Sequence, residues 1–286
     1  MHRGTVRAHA PAKLNLALHV VGRRADGYHL LESLVAFTEL GDTILAEASE
    51  RDAIAVEGPF ARRIDGPNLI ETARDALRER VGGGPVRLTL RKRLPVASGI
   101  GGGSADAAAT LWALAELWGV DHHVLDDIAP TLGADVPMCL ASETVIARGT
   151  GGRLTPHALP ALADLHVLLV NPGIAVSTPS VFAALQSREN LALPPMPGDA
   201  SAGALLDWLG LTRNDLQAPA RALAPAIDNA LAVLRDADFA RMSGSGATCF
   251  GLYRSVERAT EAADRIRGAH PDWFVARTRF LTEGTP

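Results

Sequence analysis

Cysteine is almost missing from this chain: Cys139 and Cys249 are the only two in 286 residues. They stand far apart and in no metal-ligand spacing. That excludes a disulfide scaffold and a cysteine-built metal centre, and leaves two small buried apolar groups in a reducing compartment. Aromatic residues make up only 5%, so one placed in a loop needs a reason other than the core. A marked excess of one sign of charge is missing as well. A net charge of −4 offers no global attraction to nucleic acid or to an anionic membrane. No apolar run approaches 18 residues, and the first six residues have no apolar h-region, so neither a membrane span nor a secretory signal is expected. The expectation is a soluble cytoplasmic protein. With 47% hydrophobic residues the chain has material for a core, and its length points to one large or two medium domains.

Glycine, by contrast, is concentrated. Pro95, Val96, Ala97 and Ser98 lead into Gly99, Ile100, Gly101, Gly102 and Gly103, with Ser104, Ala105 and an alanine-rich segment behind them. A strand-like stretch (86–93) precedes this loop and a helix to about Trp118 follows, which excludes a flexible linker. Glycines let the main chain approach a ligand closely. Amides gathered at a helix start, with the macrodipole behind them, form a phosphate site. Ser104 is placed to cap the helix, touch a phosphate or reach a metal. No Gly-Lys-Ser/Thr closes the loop, so it is not the common P-loop. No acidic residue ends a following strand some 20 residues on, so it is not a dinucleotide fingerprint either.

Around that loop, alternation predicts strands over 5–10, 12–20, 30–40, 43–47 and 53–57, the third and fourth joined by a turn at Gly41-Asp42. Helices are expected over 68–80, with apolar residues at helical spacing, and over 123–132. A tight segment, 133–137, presents Asp135, with Pro137 holding Val136 extended. A strand over 144–148 ends at a glycine- and proline-rich stretch (149–160), which sets the domain boundary: 1–155 and 156–286. The second part reads as a strand (166–171), helices (179–186, 204–209, 219–236), and then strand, helix and strand (248–253, 256–267, 273–280). Residues 189–202 form the best candidate for a mobile loop. No internal repeat is visible.

A few side chains fit chemistry on that frame. Lys13 and Asn15 share one face of their strand, and an inward lysine needs a partner; a lysine stem lying along the surface is the alternative. If Lys13 meets Asp135, it keeps the carboxylate ionised, and Asp135 can then take the proton of a phosphoryl-acceptor hydroxyl. Tyr28 and His29, in a loop, suit a nucleobase as stacking face and hydrogen-bonding ring; a loop anchor and a solvated histidine are the plain alternative. Phe182, following Thr178, serves either its helix core or the other side of a base. Arg23-Arg24 and the run Arg91-Lys92-Arg93 read by default as solvated charge. His122 and His123, being adjacent, cannot share a helix face as ligands. A second glycine cluster, Ser243-Gly244-Ser245-Gly246-Ala247, suggests another backbone surface over the same ligand.

Taken together, Pro11–Asn15, Pro95–Ala108 and Ser243–Ala247 resemble the three motifs of the galactokinase, homoserine kinase, mevalonate kinase and phosphomevalonate kinase (GHMP) superfamily. Residues 24–29, 133–137, 171–173 and 178–179 sharpen the likeness, towards the branch whose acceptor is a cytidine-diphosphate-linked methylerythritol. The resemblance implies an α+β fold: a ribosomal-S5-like N-terminal domain and a ferredoxin-like C-terminal domain, with the site between them. It implies Lys13 and Asp135 as the catalytic pair and residues 95–105 as the ATP phosphate loop. Asn68 falls on the adenosine side, and Asn15, Tyr28, His29, Thr178 and Phe182 fall around the acceptor. ATP and Mg²⁺ are the implied cofactors, with no protein ligand for the metal assigned beyond Ser104. The small-molecule acceptor is the expected partner, the chain being a monomer or weak homodimer. Another small-alcohol kinase of the superfamily, or a non-catalytic binding protein on its fold, are the rivals. A nucleobase platform argues against the first, and the presence of both Lys13 and Asp135 argues against the second.

Overall fold

The longest element is a strand that the alternation divides in two. β2 (His29–Ala48) runs straight through Gly41-Asp42 with no turn. The expected turn fails because Gly41 answers a different need. A Cβ there would lie 2.3 Å from the Ala10 carbonyl oxygen of the neighbouring strand, so glycine is required by close approach. β1 (Val6–Arg23) is likewise one strand rather than two. Its register on β2 shifts between Pro11 and Lys13, between Asn15 and Ala17, and between Val20 and Gly22. Pro11 has no N–H to give a ladder. The first two irregularities bracket Lys13 and Asn15, the positions where re-aimed side chains matter.

The computed structural model describes residues 4–63, 68–198 and 201–282. In the first sheet β2 is central. β1 pairs along one of its edges, and β4 (Val86–Arg91) and β5 (Val145–Gly149) share the other. β3 (Ala53–Glu57) lies parallel to β4 and β6 (Arg153–Pro156) antiparallel to β5. One face of this sheet packs on α1 (Leu69–Val81), α2 (Gly102–Trp118), α3 (His123–Leu132) and α4 (Val136–Ala141) through Phe37, Ile44, Leu88, Leu90, Ala107 and Leu111. Alanines at 107–109, 113 and 115 let α2 lie close against the strands.

The second sheet is antiparallel, in the order β10 (Phe274–Arg279), β7 (His166–Asn171), β9 (Cys249–Tyr253), β8 (Phe239–Met242). Its face towards the first sheet joins Val167, Leu169 and Phe250 to Leu14, Leu16 and Leu34, with Leu205, Trp208 and Leu209 of α6 (Ala202–Leu211). Its other face carries α5 (Thr178–Ala183), α7 (Gln217–Leu223), α8 (Ala226–Ala232) and α9 (Val256–Ala269).

Two further expectations change. The helix over 219–236 is two helices, broken at Ala224-Pro225, because proline pushes the preceding residue out of the α region; Ala224 has φ −140° and ψ 80°. Val136 is helical rather than extended: it opens α4, and Pro137 is accommodated in the first turn. The segment over 189–202, expected to be mobile, carries defined hydrogen bonds at Asn190, Leu193 and Pro195. Asn190 Nδ2 donates to the Val20 carbonyl and to Asp215, and Leu193 N–H donates to Glu32. The Trp208 indole donates to the Pro195 carbonyl at 2.9 Å. Residues 199 and 200 of that segment lie outside the described residues.

Candidate active site

A cavity of about 1260 Å³ lies between β1, the start of α2, the 243–248 loop and α5. On its floor Lys13 Nζ meets Asp135 Oδ2 at 2.7 Å. Lys13 is 7% exposed, while the Asp135 side chain keeps 39% of its surface open. Asp135 occupies the N-cap position of α4, yet its carboxylate does not cap the helix; it is spent on Lys13. Lys13 holds Asp135 below the usual carboxylate range, against the cost of burial. Burial works against the charge on Lys13, and Asp135 more than restores it.

The glycine loop bends over this pair. Lys13 N–H donates to the Ile100 carbonyl at 2.9 Å, which ties β1 to the loop. Gly101, at φ +70°, is the N-cap of α2, and no side chain caps the helix there. The first-turn amides therefore face the cavity with the helix dipole behind them. Ser104 sits within the first turn, on the cavity wall, and is not the helix cap. Gly99, at φ +77°, presses on the second loop: a Cβ on it would lie 2.5 Å from the Ser243 carbonyl oxygen. Ser243 Oγ donates to the Gly99 carbonyl and accepts from Asn15 N–H. The two glycine clusters pack on each other, and Gly244 and Ser245 of the second also line the cavity.

Pro95, Val96, Ala97, Ser98, Gly99 and Gly101 to Ser104 line the cavity, as do Asn68, Asn15, Tyr28, His29, Thr178 and Phe182. Ile100 and Ala105 do not; both side chains are buried in the apolar cores. Asn68 caps α1, its Oδ1 accepting from Ile70 N–H. Thr178 Oγ1 and Ser245 Oγ are 2.7 Å apart and bridge α5 to the second loop. His29 stacks on Phe182, with centroids 4.9 Å apart and an angle of 26°, so these two rings touch each other rather than standing as open walls. Tyr28, 66% exposed, stands at the mouth. His29 is held below its usual pKa by burial and by Arg23 and Arg188. Its Nε2 and the Oδ1 of Asn15 are buried without a partner.

Lys92 overturns the reading of its charge run. Arg91 and Arg93 are exposed, but Lys92 is buried, 2.5 Å from Asp42 and 2.6 Å from Asp106. The signal was the alternation itself: Val86, Leu88 and Leu90 point inward, and Lys92 continues their row. Asp42 Oδ1 also accepts from the N–H groups of Arg93 and Leu94. Arg23 Nε donates to the Gly27 carbonyl and shapes the Tyr28 loop.

This fold and site define a class. Residues 68–143 match the GHMP kinases N-terminal domain and residues 199–272 the GHMP kinases C-terminal domain. The chain belongs to the GHMP kinase family and has its α+β fold. Within the family it is 51% identical to the 4-diphosphocytidyl-2-C-methyl-D-erythritol kinase of Mesorhizobium japonicum over 283 residues, covering 96% of this chain and 95% of that one. It is also 51% identical to the enzyme of that name from Paracoccus denitrificans over 285 residues, 96% of each chain. A crystal structure of 4-(cytidine 5'-diphospho)-2C-methyl-D-erythritol kinase superposes with a TM-score of 0.77 at 35% identity, covering 96% of this chain and 99% of that one. A homoserine kinase from Cytophaga hutchinsonii, with a TM-score of 0.69 and 18% identity over 99% of this chain and 96% of its own, shares the fold.

Proposed function

We propose that this chain moves the γ-phosphoryl group of ATP to the 2-hydroxyl of 4-diphosphocytidyl-2-C-methyl-D-erythritol, a step in non-mevalonate isoprenoid precursor synthesis. The observation that carries the reading is the Lys13–Asp135 contact of 2.7 Å at the foot of an uncapped, glycine-started helix. The full-length likeness to kinases of that name supports the choice of acceptor.

The amides of residues 101–104 take the ATP phosphates, and Asn68 lies on the adenosine side. Lys13 keeps Asp135 a carboxylate and offers positive charge to the transferring group. The acceptor hydroxyl gives its proton to the open side of Asp135 late in a loose transition state. Tyr28, His29 and Phe182 hold the cytosine, with Thr178 on the same wall and Asn15 on the methylerythritol moiety. Among the described residues no group of three or more His, Cys, Asp or Glu forms a metal cage. A Mg²⁺ carried by the nucleotide needs only one or two protein oxygens, and the Ser104 hydroxyl beside the loop would hold it there, where it neutralises phosphate charge. We assign residues 1–155 and 156–286 as the two domains, and a monomer or weak homodimer in the cytoplasm as the working state.

A coupled assay with ATP and magnesium tests this reading, comparing the cytidine compound with homoserine, mevalonate and galactose. Turnover with the cytidine compound alone is expected. Turnover with one of the other alcohols instead would overturn the acceptor assignment and leave the phosphate loop and its ion pair standing.

A further inference from the structure

Asn214 is 7% exposed, and both ends of its side-chain amide are engaged. Its Nδ2 donates to the carbonyls of Met242 and Gly244, each at 2.8 Å. Its Oδ1 accepts from Leu216 N–H at 3.0 Å. Two carbonyls on one side and an N–H on the other leave the amide a single orientation, because only its nitrogen can donate. The residue is itself anchored on both sides: Leu18 N–H donates to the Arg213 carbonyl and Asp215 N–H to the Leu18 carbonyl, both at 2.9 Å. Leu18 belongs to β1 and lines the cavity. One side chain thus ties the second glycine loop to a fixed part of the cavity wall.

Gly244 and Ser245 line the same cavity. Their shared peptide is trans, so its N–H points away from its carbonyl. Buried Asn214 holds that carbonyl, so the Ser245 N–H points to the opposite side, and among the described residues it has no hydrogen-bond partner. The loop also sits beside the Lys13–Asp135 pair: Ser243 Oγ accepts from the N–H of Asn15, two residues from Lys13 on β1. We propose that Asn214 is a positioning residue for phosphoryl transfer: by holding the Gly244 carbonyl it keeps the Ser245 N–H, and no carbonyl oxygen, towards the transferring phosphoryl group. An anion there gains a donor that is already in place. With the peptide turned over, the same place would set a carbonyl oxygen against the negative charge. The inference deepens the function proposed above and rests on it.

Steady-state kinetics of Asn214→Asp and the NMR signal of the Ser245 amide in the native enzyme form the test. Asn214→Asp keeps the shape and an acceptor for Leu216 N–H, but its carboxylate has no hydrogen for either carbonyl. It is expected to lower kcat per folded molecule about a hundredfold, with KM for ATP and for the cytidine acceptor within about threefold, because the donor acts in the transition state. A fall in kcat of less than about tenfold would overturn the proposal, whatever happens to Tm and to the KM values, since a merely structural asparagine behaves so. In the native enzyme the Ser245 amide is expected to shift when a non-hydrolysable ATP analogue and magnesium are added, and to shift less with ADP. An amide that does not respond, or responds equally to both, would overturn the proposal, and this measurement decides even if Asn214→Asp does not fold. Absence of turnover of the cytidine acceptor by the native enzyme refutes instead the function on which the inference rests.

Discussion

Two lysine–carboxylate centres lie on either side of the first turn of α2, and they differ in what they leave open. Lys13 has one partner, Asp135, which keeps 39% of its side chain exposed. Lys92 has two, Asp42 and Asp106, and all three side chains are at most 4% exposed. The centres are near enough that Asp135 and Asp106 both add to the effect of burial in pushing the Cys139 thiol up. Burial pushes Asp106 up, Lys92 opposes it, and Asp42 adds to the rise, with the result about 8. Asp135 goes the other way because its cation is not shared. A lysine with one half-open carboxylate makes an ionised base that a substrate can reach. A lysine sealed between two makes a strut that joins β2, the end of β4 and α2 beneath the glycine loop. Partner count and exposure, rather than the presence of an ion pair, separate the two roles.

The strongest way to break this comparison is to neutralise the reachable carboxylate. Asp135→Asn is expected to lower kcat about a thousandfold, with both KM values within a few-fold, in the coupled assay. Near-normal turnover would show that Asp135 neither takes the proton nor orients the hydroxyl. Next comes the sealed cation. Lys92→Met leaves Asp42 buried without its countercharge, beside an Asp106 carboxyl that burial already keeps protonated, and is expected to cost about 3–5 kcal/mol in urea unfolding. A loss near zero would mean that the triad is no strut.

The third effect is a slope with pH. A carboxyl near 8 in the fold, against an ordinary 3.8, holds a proton that the unfolded chain releases. Unfolding free energy should therefore fall as pH rises across roughly pH 4 to 8, by at most about 1.4 kcal/mol per unit. Asp106→Asn should flatten that slope. Asp135, depressed in the fold, stabilises above its unfolded value and loses that contribution only as pH falls through its folded value, so Asp135→Asn should leave the slope above pH 5 alone, within roughly experimental scatter. Smallest is Lys13→Met, whose carboxylate keeps its open side: a stability loss of about 1 kcal/mol by the same unfolding measurement, alongside lost turnover.

Much of this was legible beforehand, for physical reasons that can be named. The glycines over 99–103 and the alanines behind them allow few other structures, and Lys13 in an apolar alternation demanded a partner. Asp135 was fixed by its neighbours, although Pro137 was misjudged: proline ends helices and also starts them, and local sequence does not say which. The turn at Gly41 failed because a glycine needed for close approach looks the same as one needed to reverse the chain. Lys92 was hidden by its flanking arginines until its row of inward residues was followed across the end of the strand. The contact between His29 and Phe182 joins residues from opposite halves and lies beyond any local pattern.

The long reach of β1 also bears on synthesis. Asn15 N–H bonds to Ser243 Oγ across 228 residues, and Arg241 donates to the Leu16 carbonyl across 225. A chain emerging from the ribosome holds both Lys13 and Asp135 once residue 135 is out, yet the 243–247 loop that packs on the first glycine loop is among the last parts made. Closure of so distant a contact is slow, and a partly made chain has an ion pair but no enclosed cleft. If the proposed function holds, chains that stop short of residue 243 are expected to transfer no phosphoryl group.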